Sequence, residues 1–105
     1  MFMRIYWGRI EPGCWPDIEN AYRELNEIPV PGMRARWVTQ DANDPDNLFT
    51  ITLWESAEAV HAWENSSDYH DVFQARVKPF LAGSHTVSLC HIRVGNVTGD
   101  LTSAS

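Results

Sequence analysis

Two aromatic side chains with polar edges, Trp63 and Tyr69, stand six residues apart on either side of Asn65-Ser66-Ser67. On a continuous helix that spacing would turn them about 120° away from each other. A break at Asn65-Ser66-Ser67, with Asp68 as a fresh N-cap, frees Tyr69 to join the row Tyr69, Phe73, Val77 and Phe80 and to point inward with Trp63. An indole N–H and a phenol O–H would then project into a largely apolar cavity. That chemistry suits a flat aromatic ligand carrying oxygen substituents. His70, directly after Tyr69, is the neighbouring side chain that could act as a base, and Arg76 is a second candidate for assisting proton removal. Phe73, Val77, Arg76 and Ala59 are the expected substrate-binding positions. The same aromatic row would also serve as ordinary core.

Other chemistries lack their residues. His85 and His91 share a face of one strand but lie some 20 Å apart at ~3.3 Å per residue, too far to hold one metal. Asp41, Asp44 and Asp46 lack both the spacing and the central Gly of a calcium loop and read as a solvated turn. No nucleophile elbow, phosphate-cradling Gly loop or zinc spacing occurs. No metal or cofactor is therefore expected.

These residues need a scaffold, and the chain is long enough for one. It has 105 residues, 44% hydrophobic and 21% charged, with eight basic against fourteen acidic side chains and a net charge of −6. Such a chain forms a single domain with a real core. Its acidity gives no footprint for a nucleic acid or an anionic membrane, so a small neutral or aromatic molecule is the expected partner. Cys14 and Cys90 form no Cys-x-x-Cys motif, and no signal or membrane-spanning segment is legible, so the expected location is cytoplasmic.

Periodicity gives the elements. Met3 to Ile10 reads as a strand ending at Glu11-Pro12-Gly13, and Pro16 opens a helix carrying Ile18, Ala21, Tyr22, Leu25 and Ile28 on one side. Met33 to Gln40 alternates, with Met33, Ala35, Trp37 and Thr39 on one face and Arg34, Arg36, Val38 and Gln40 on the other. Leu48 to Trp54 follows as the hairpin partner, and Ser56 caps the jointed helix, which is expected to stop at Gly83. His85 to Val94 is the last strand. Residues 1–94 form the domain and 95–105 a polar tail expected to be mobile.

Strand, helix, strand, strand, helix, strand is the order of a ferredoxin-like α+β fold, a four-stranded antiparallel sheet with both helices on one side. Ile5 and Trp7 oppose Tyr6 and Ile10, so apolar area remains on the bare side whichever face the helices cover. A second copy packed sheet to sheet, making a dimeric α/β barrel, is the expected cover.

Leu48-Phe49-Thr50-Ile51-Thr52-Leu53-Trp54-Glu55-Ser56, then Ala57-Glu58-Ala59-Val60-His61-Ala62-Trp63 and Ser67-Asp68-Tyr69-His70, resembles the antibiotic biosynthesis monooxygenase (ABM) family. The resemblance spans about Met3 to Val94 and implies the jointed second helix and the dimer. Quinone-forming relatives oxidise a phenol or anthrone with dioxygen and no metal or flavin, using a helix Trp and a Tyr six residues on, a spacing that Trp63 and Tyr69 reproduce. Ala59 stands where they carry Asn. The resemblance thus implies a cofactor-independent monooxygenase in which Trp63 and Tyr69 act, with the adjacent His70 expected to assist proton removal. Haem-degrading relatives use a first-strand Asn and a later helix His. Here Gly8 and Phe73 or Gln74 hold those positions, which argues against haem. An isomerase relative, or a non-catalytic dimer that binds a hydrophobic metabolite, is the alternative.

Overall fold

The computed structural model describes residues 1–101. Four strands, β1 (Phe2–Ile10), β2 (Met33–Gln40), β3 (Asn47–Trp54) and β4 (Leu81–His91), form one antiparallel sheet in the order β2-β3-β1-β4. Helices α1 (Trp15–Asn26) and α2 (Ala57–Glu64) form the two crossovers, and both contribute to one buried cluster with β1 and β3. The fold is thus the ferredoxin-like α+β arrangement expected. Pro16 sits in the first turn of α1, where its missing N–H has no helical partner to lose, and Ile18, Ala21, Tyr22 and Leu25 make the buried stripe. Each large side chain in that stripe contributes roughly 1.5–3 kcal/mol on burial.

The helix-covered face is formed by the even-numbered residues of β1 and β3. Arg4, Tyr6 and Ile10 lie on it beside Leu48, Thr50, Thr52 and Trp54. The opposite face bears Met3, Ile5 and Trp7, paired across strands with Leu53, Ile51 and Phe49, while Ile51 also faces Trp37. Directly opposed residues share a face, so these side chains form one apolar surface that no helix covers. They are half-buried by their own neighbours. Beyond Ala82, β4 is exposed along its whole length, including Val87 at 40% and Leu89 at 39%.

Three expectations about the elements are corrected. Met33 packs against the core instead of sharing the bare face with Trp37, because the register slips between Met33 and Ala35 and carries it across the sheet. The second helical region ends earlier than Gly83: a single turn α3 (Gln74–Arg76) is followed by a 3₁₀ turn over Lys78–Phe80. Gly83, at φ 77°, lies inside β4, where the pairing jumps from Gly8–His85 to Arg9–Ala82, so this glycine serves a bulge and not a helix stop. The last strand accordingly runs Leu81–His91 rather than His85 to Val94. Residues 92–101 form no regular element, and the remainder of the expected tail lies outside the described residues.

Candidate functional site

The joint in the second helical region is real, and one hydroxyl organises it. α2 is capped by Ser56, whose side chain accepts from the Ala59 amide at 3.2 Å, and it ends at Glu64. Ser66 Oγ then donates to the Trp63 carbonyl at 2.7 Å and accepts from the Tyr69 amide at 3.1 Å. It ties off the end of one helix and caps the next segment. That segment, Tyr69–Phe73, is a π-helical turn, the wider coil that often accompanies functional sites. Its rings stack: Tyr69 and Phe73 are 5.2 Å apart between centroids and 6° from parallel. Trp63 meets Tyr69 edge-on at 5.6 Å. Trp63 and Tyr69 thus face one interior.

Beneath them lies a cavity of about 20 Å³ bounded by Arg4, Arg36, Tyr6, Tyr22, Trp63 and Tyr69, with Thr50, Thr52, Leu25 and Phe73 completing it. A cavity of that size holds about one water molecule or one oxygen-sized group. Its walls mix aromatic and aliphatic side chains with two arginines and two threonines, which corrects the largely apolar cavity expected from the helix residues alone. The difference comes from the sheet: Arg4 on β1, Arg36 on β2 and two threonines on β3 occupy inward positions. A charged residue in step with Tyr6 and Ile10 along β1, and another in step with Val38 along β2, was the sequence signal for this wall.

Arg4, 6% exposed, donates Nε to Glu64 Oε2 at 3.1 Å, and its guanidinium carbon is 6.0 Å from the Tyr69 ring centre. Arg36 donates Nη1 to Asn26 Oδ1 at 3.0 Å and places its guanidinium 5.6 Å from the Trp63 ring centre. These are cation–π distances. Burial disfavours the Arg36 charge, Tyr22 opposes that effect and Arg4 adds to it. Tyr22 Oη accepts from Thr50 Oγ1 at 2.9 Å, and burial pushes its pKa up to about 12 against the pull of that bond. Burial likewise raises the Tyr6 phenol, reinforced by Tyr22 and Tyr69. Both are neutral hydroxyls at physiological pH. The Tyr6 hydroxyl is the buried side-chain polar atom with no hydrogen-bond partner among the described residues.

A second hollow, about 150 Å³, opens between the π turn and β4, bounded by Gln74, Lys78, Leu81 and His85 and sharing the walls Tyr6, Tyr69 and Phe73 with the inner one. His85 stacks on Tyr6 at 5.1 Å. Gly8 matters here, because a Cβ at that position would lie 3.3 Å from the Tyr6 ring. Its missing side chain gives Tyr6 its place.

The remaining expected residues lie elsewhere. His70 is exposed, its ring edge-on to Tyr69 at 5.4 Å, and it does not reach the inner cavity. Arg76 is exposed and paired with Glu24 on α1, because the short turn α3 points it back across the helices. Val77 is fully buried in the core. Ala59 lines a separate hollow of about 110 Å³ beside Pro29 and Pro31, on the side of α2 that meets the Gly32 turn.

A four-stranded antiparallel sheet with both helices on one face defines the ferredoxin-like α+β class. Within that class, the antibiotic biosynthesis monooxygenase family model matches residues 1–75, and the chain belongs to that family. Protein SchA of Streptomyces halstedii is 24% identical over 86 residues, which is 80% of this chain and 22% of SchA. The chain thus spans about a fifth of the length of that relative. A crystal structure of an antibiotic biosynthesis monooxygenase superposes with a TM-score of 0.73 at 20% identity over 88% of this chain and 98% of the other. A mutant of MhuD with two manganese protoporphyrin IX molecules bound per active site superposes with a TM-score of 0.77 at 21% identity, over 94% and 100%. A conserved protein from Methanosarcina mazei does so at 0.75 and 15%, over 86% and 91%. At these identities the likeness is one of fold.

Proposed function

We propose that this protein is a cofactor-independent monooxygenase acting on a small aromatic molecule of phenol, anthrone or quinone-like type. The observation that carries the reading is the helix joint, which brings Trp63 and Tyr69 edge to face at 5.6 Å over a shared interior. In the proposed reaction a ring C–H is lost as a proton and the resulting carbanion donates to dioxygen, forming a C–O bond. The hydroperoxide so formed loses water as its O–O bond breaks and a second C–H proton leaves. One oxygen atom ends as the product carbonyl and the other as water, and all the electrons come from the substrate. Trp63 stacks on the ring and offers its N–H, Tyr69 donates to the developing oxyanion, Phe73 supplies apolar wall, and the exposed His70 receives the released proton at the rim.

The working unit in this proposal is a homodimer. Met3, Ile5, Trp7, Trp37, Phe49, Ile51 and Leu53 make an apolar surface that a second copy would bury sheet to sheet. Both cysteines are free, which fits a reducing compartment such as the cytoplasm. No helix is long and apolar enough to cross a membrane among the described residues.

Oxygen consumption on a panel of hydroquinones and anthrones tests the reading. Uptake matched by quinone formation and water is expected. Binding of the same compounds, seen as a thermal shift with no oxygen uptake, would favour the non-catalytic binder. Phe73 or Gln74 stands near the position where haem-degrading relatives place their His, and this counts against haem.

A further inference from the structure

The inner cavity contains more positive charge than its protein partners neutralise. Arg4 and Arg36 are its ionisable cationic walls, and the lining includes no carboxylate. Glu64 meets Arg4 from outside the lining and takes only Nε, while Asn26, a neutral amide, takes one Nη of Arg36. Both Nη groups of Arg4 and the second Nη of Arg36 have no protein acceptor among the described residues. The Tyr6 hydroxyl, 2% exposed, is a further donor without a partner. Unmatched guanidinium donors at the edge of an oxygen-sized hollow favour an anion over a neutral group.

We infer that the protein selects aromatic ligands bearing an anionic oxygen, a carboxylate or an ionised phenol, and that this oxygen seats between Arg4 and Arg36. The inference rests on the cavity being the ligand site proposed above. The ring itself needs the larger hollow, whose ~150 Å³ is of the scale that admits a benzene. The two hollows share Tyr6, Tyr69 and Phe73 as walls, so a ligand with its ring in the larger one would direct its anionic group between these rings toward the arginines. No carboxylate or imidazole lines the inner cavity, so the arginines supply by charge what a general base would supply by proton transfer: they lower the cost of ionising the ligand.

The test compares three single-ring probes on the wild-type protein by calorimetry: benzoate, benzamide of the same shape without charge, and 4-nitrophenol, whose phenolate is yellow. Benzoate or 4-nitrophenolate should bind at least ~10-fold more tightly than benzamide, a gap typical of one charge-assisted contact. Preference for benzoate alone assigns a carboxylate, and preference for the nitrophenolate alone an ionised phenol. Bound 4-nitrophenol should stay yellow about one pH unit below its free transition. Arg36→Gln should remove the gap between the anions and benzamide, and Arg36→Lys should retain part of it. Benzamide binding as tightly as both anions, no binding by any probe, or a gap that survives both Arg36→Gln and Arg4→Gln overturns the inference. If a variant fails to fold, the wild-type comparison and the colour shift still decide. Anion preference without oxygen uptake on the hydroquinone panel removes the oxidation reading and leaves this one standing.

Discussion

The Trp63 carbonyl and the Tyr69 amide are bridged by a single side-chain oxygen, Ser66 Oγ, at 2.7 and 3.1 Å. The aromatic pair owes its shared orientation to this bridge, because α2 must end and the π turn must begin within five residues for both rings to face inward. Ser66→Ala removes both bonds. It should lower stability by about 1–2 kcal/mol in urea unfolding, with Ser66→Thr retaining most of it. Equal stability of Ser66→Ala and wild type would show that the joint is held by ring packing alone.

Gly32 lies in the turn before β2 at φ 84°, and a Cβ there would come within 2.5 Å of the Ala59 Cβ on α2. Gly32→Ala combines a left-handed backbone with a clash and should cost at least ~2 kcal/mol. In the double variant Gly32→Ala, Ala59→Gly the clash is gone, so the two changes should couple favourably by about 1 kcal/mol. Strict additivity in denaturant titrations would mean that the turn and helix are not in contact.

On the bare face, Ile51 pairs with Ile5 on one side and Trp37 on the other, at the middle of the apolar surface. Sedimentation velocity should find a dimer at micromolar concentration, and Ile51→Glu should convert it to a monomer by placing an unpaired charge there. A wild-type monomer would remove the barrel from the account.

Asp44 accepts from Arg9 Nη1 at 2.9 Å and from the Asp46 amide at 3.1 Å, and the Arg9 hydrogen bond first, then that amide, holds its carboxyl below the ordinary value of 3.8. A carboxyl depressed in the folded state stabilises the protein above its unfolded value and loses that contribution as pH falls through the folded one. The urea midpoint of wild type should therefore decline below about pH 3.8, and Asp44→Asn should show a flatter acid limb. Since the Asp44 side chain is 40% exposed, added salt should shrink the difference between the two proteins.

Much of this scaffold was legible in the chain because period and punctuation agreed: Pro16 opens α1, Ser56 caps α2, and even and odd residues of β1 and β3 separate cleanly between the two faces. The places that misled were bulges. The slip after Met33 and the extra residues at Gly83 each change face or boundary without changing composition, so alternation alone does not reveal them. Within the site, Trp63, Tyr69 and Phe73 were found because all three belong to one helical region whose break is written in Asn65-Ser66-Ser67. Arg4, Arg36 and Tyr22 were missed because they arrive from three other elements, and only the sheet register brings them under the aromatic pair. His70 and Arg76 follow the aromatic row in sequence, yet the π turn and the short α3 leave both exposed.

The most direct test of the central claim is Tyr69→Phe, which removes one hydroxyl and keeps the ring that stacks on Phe73. Oxygen consumption on a hydroquinone or anthrone accepted by the wild type should fall by ~10²-fold, with the unfolding midpoint shifted by no more than about 1 kcal/mol. Unchanged oxygen consumption in a folded Tyr69→Phe protein would contradict the role of that hydroxyl and leave the ring as core.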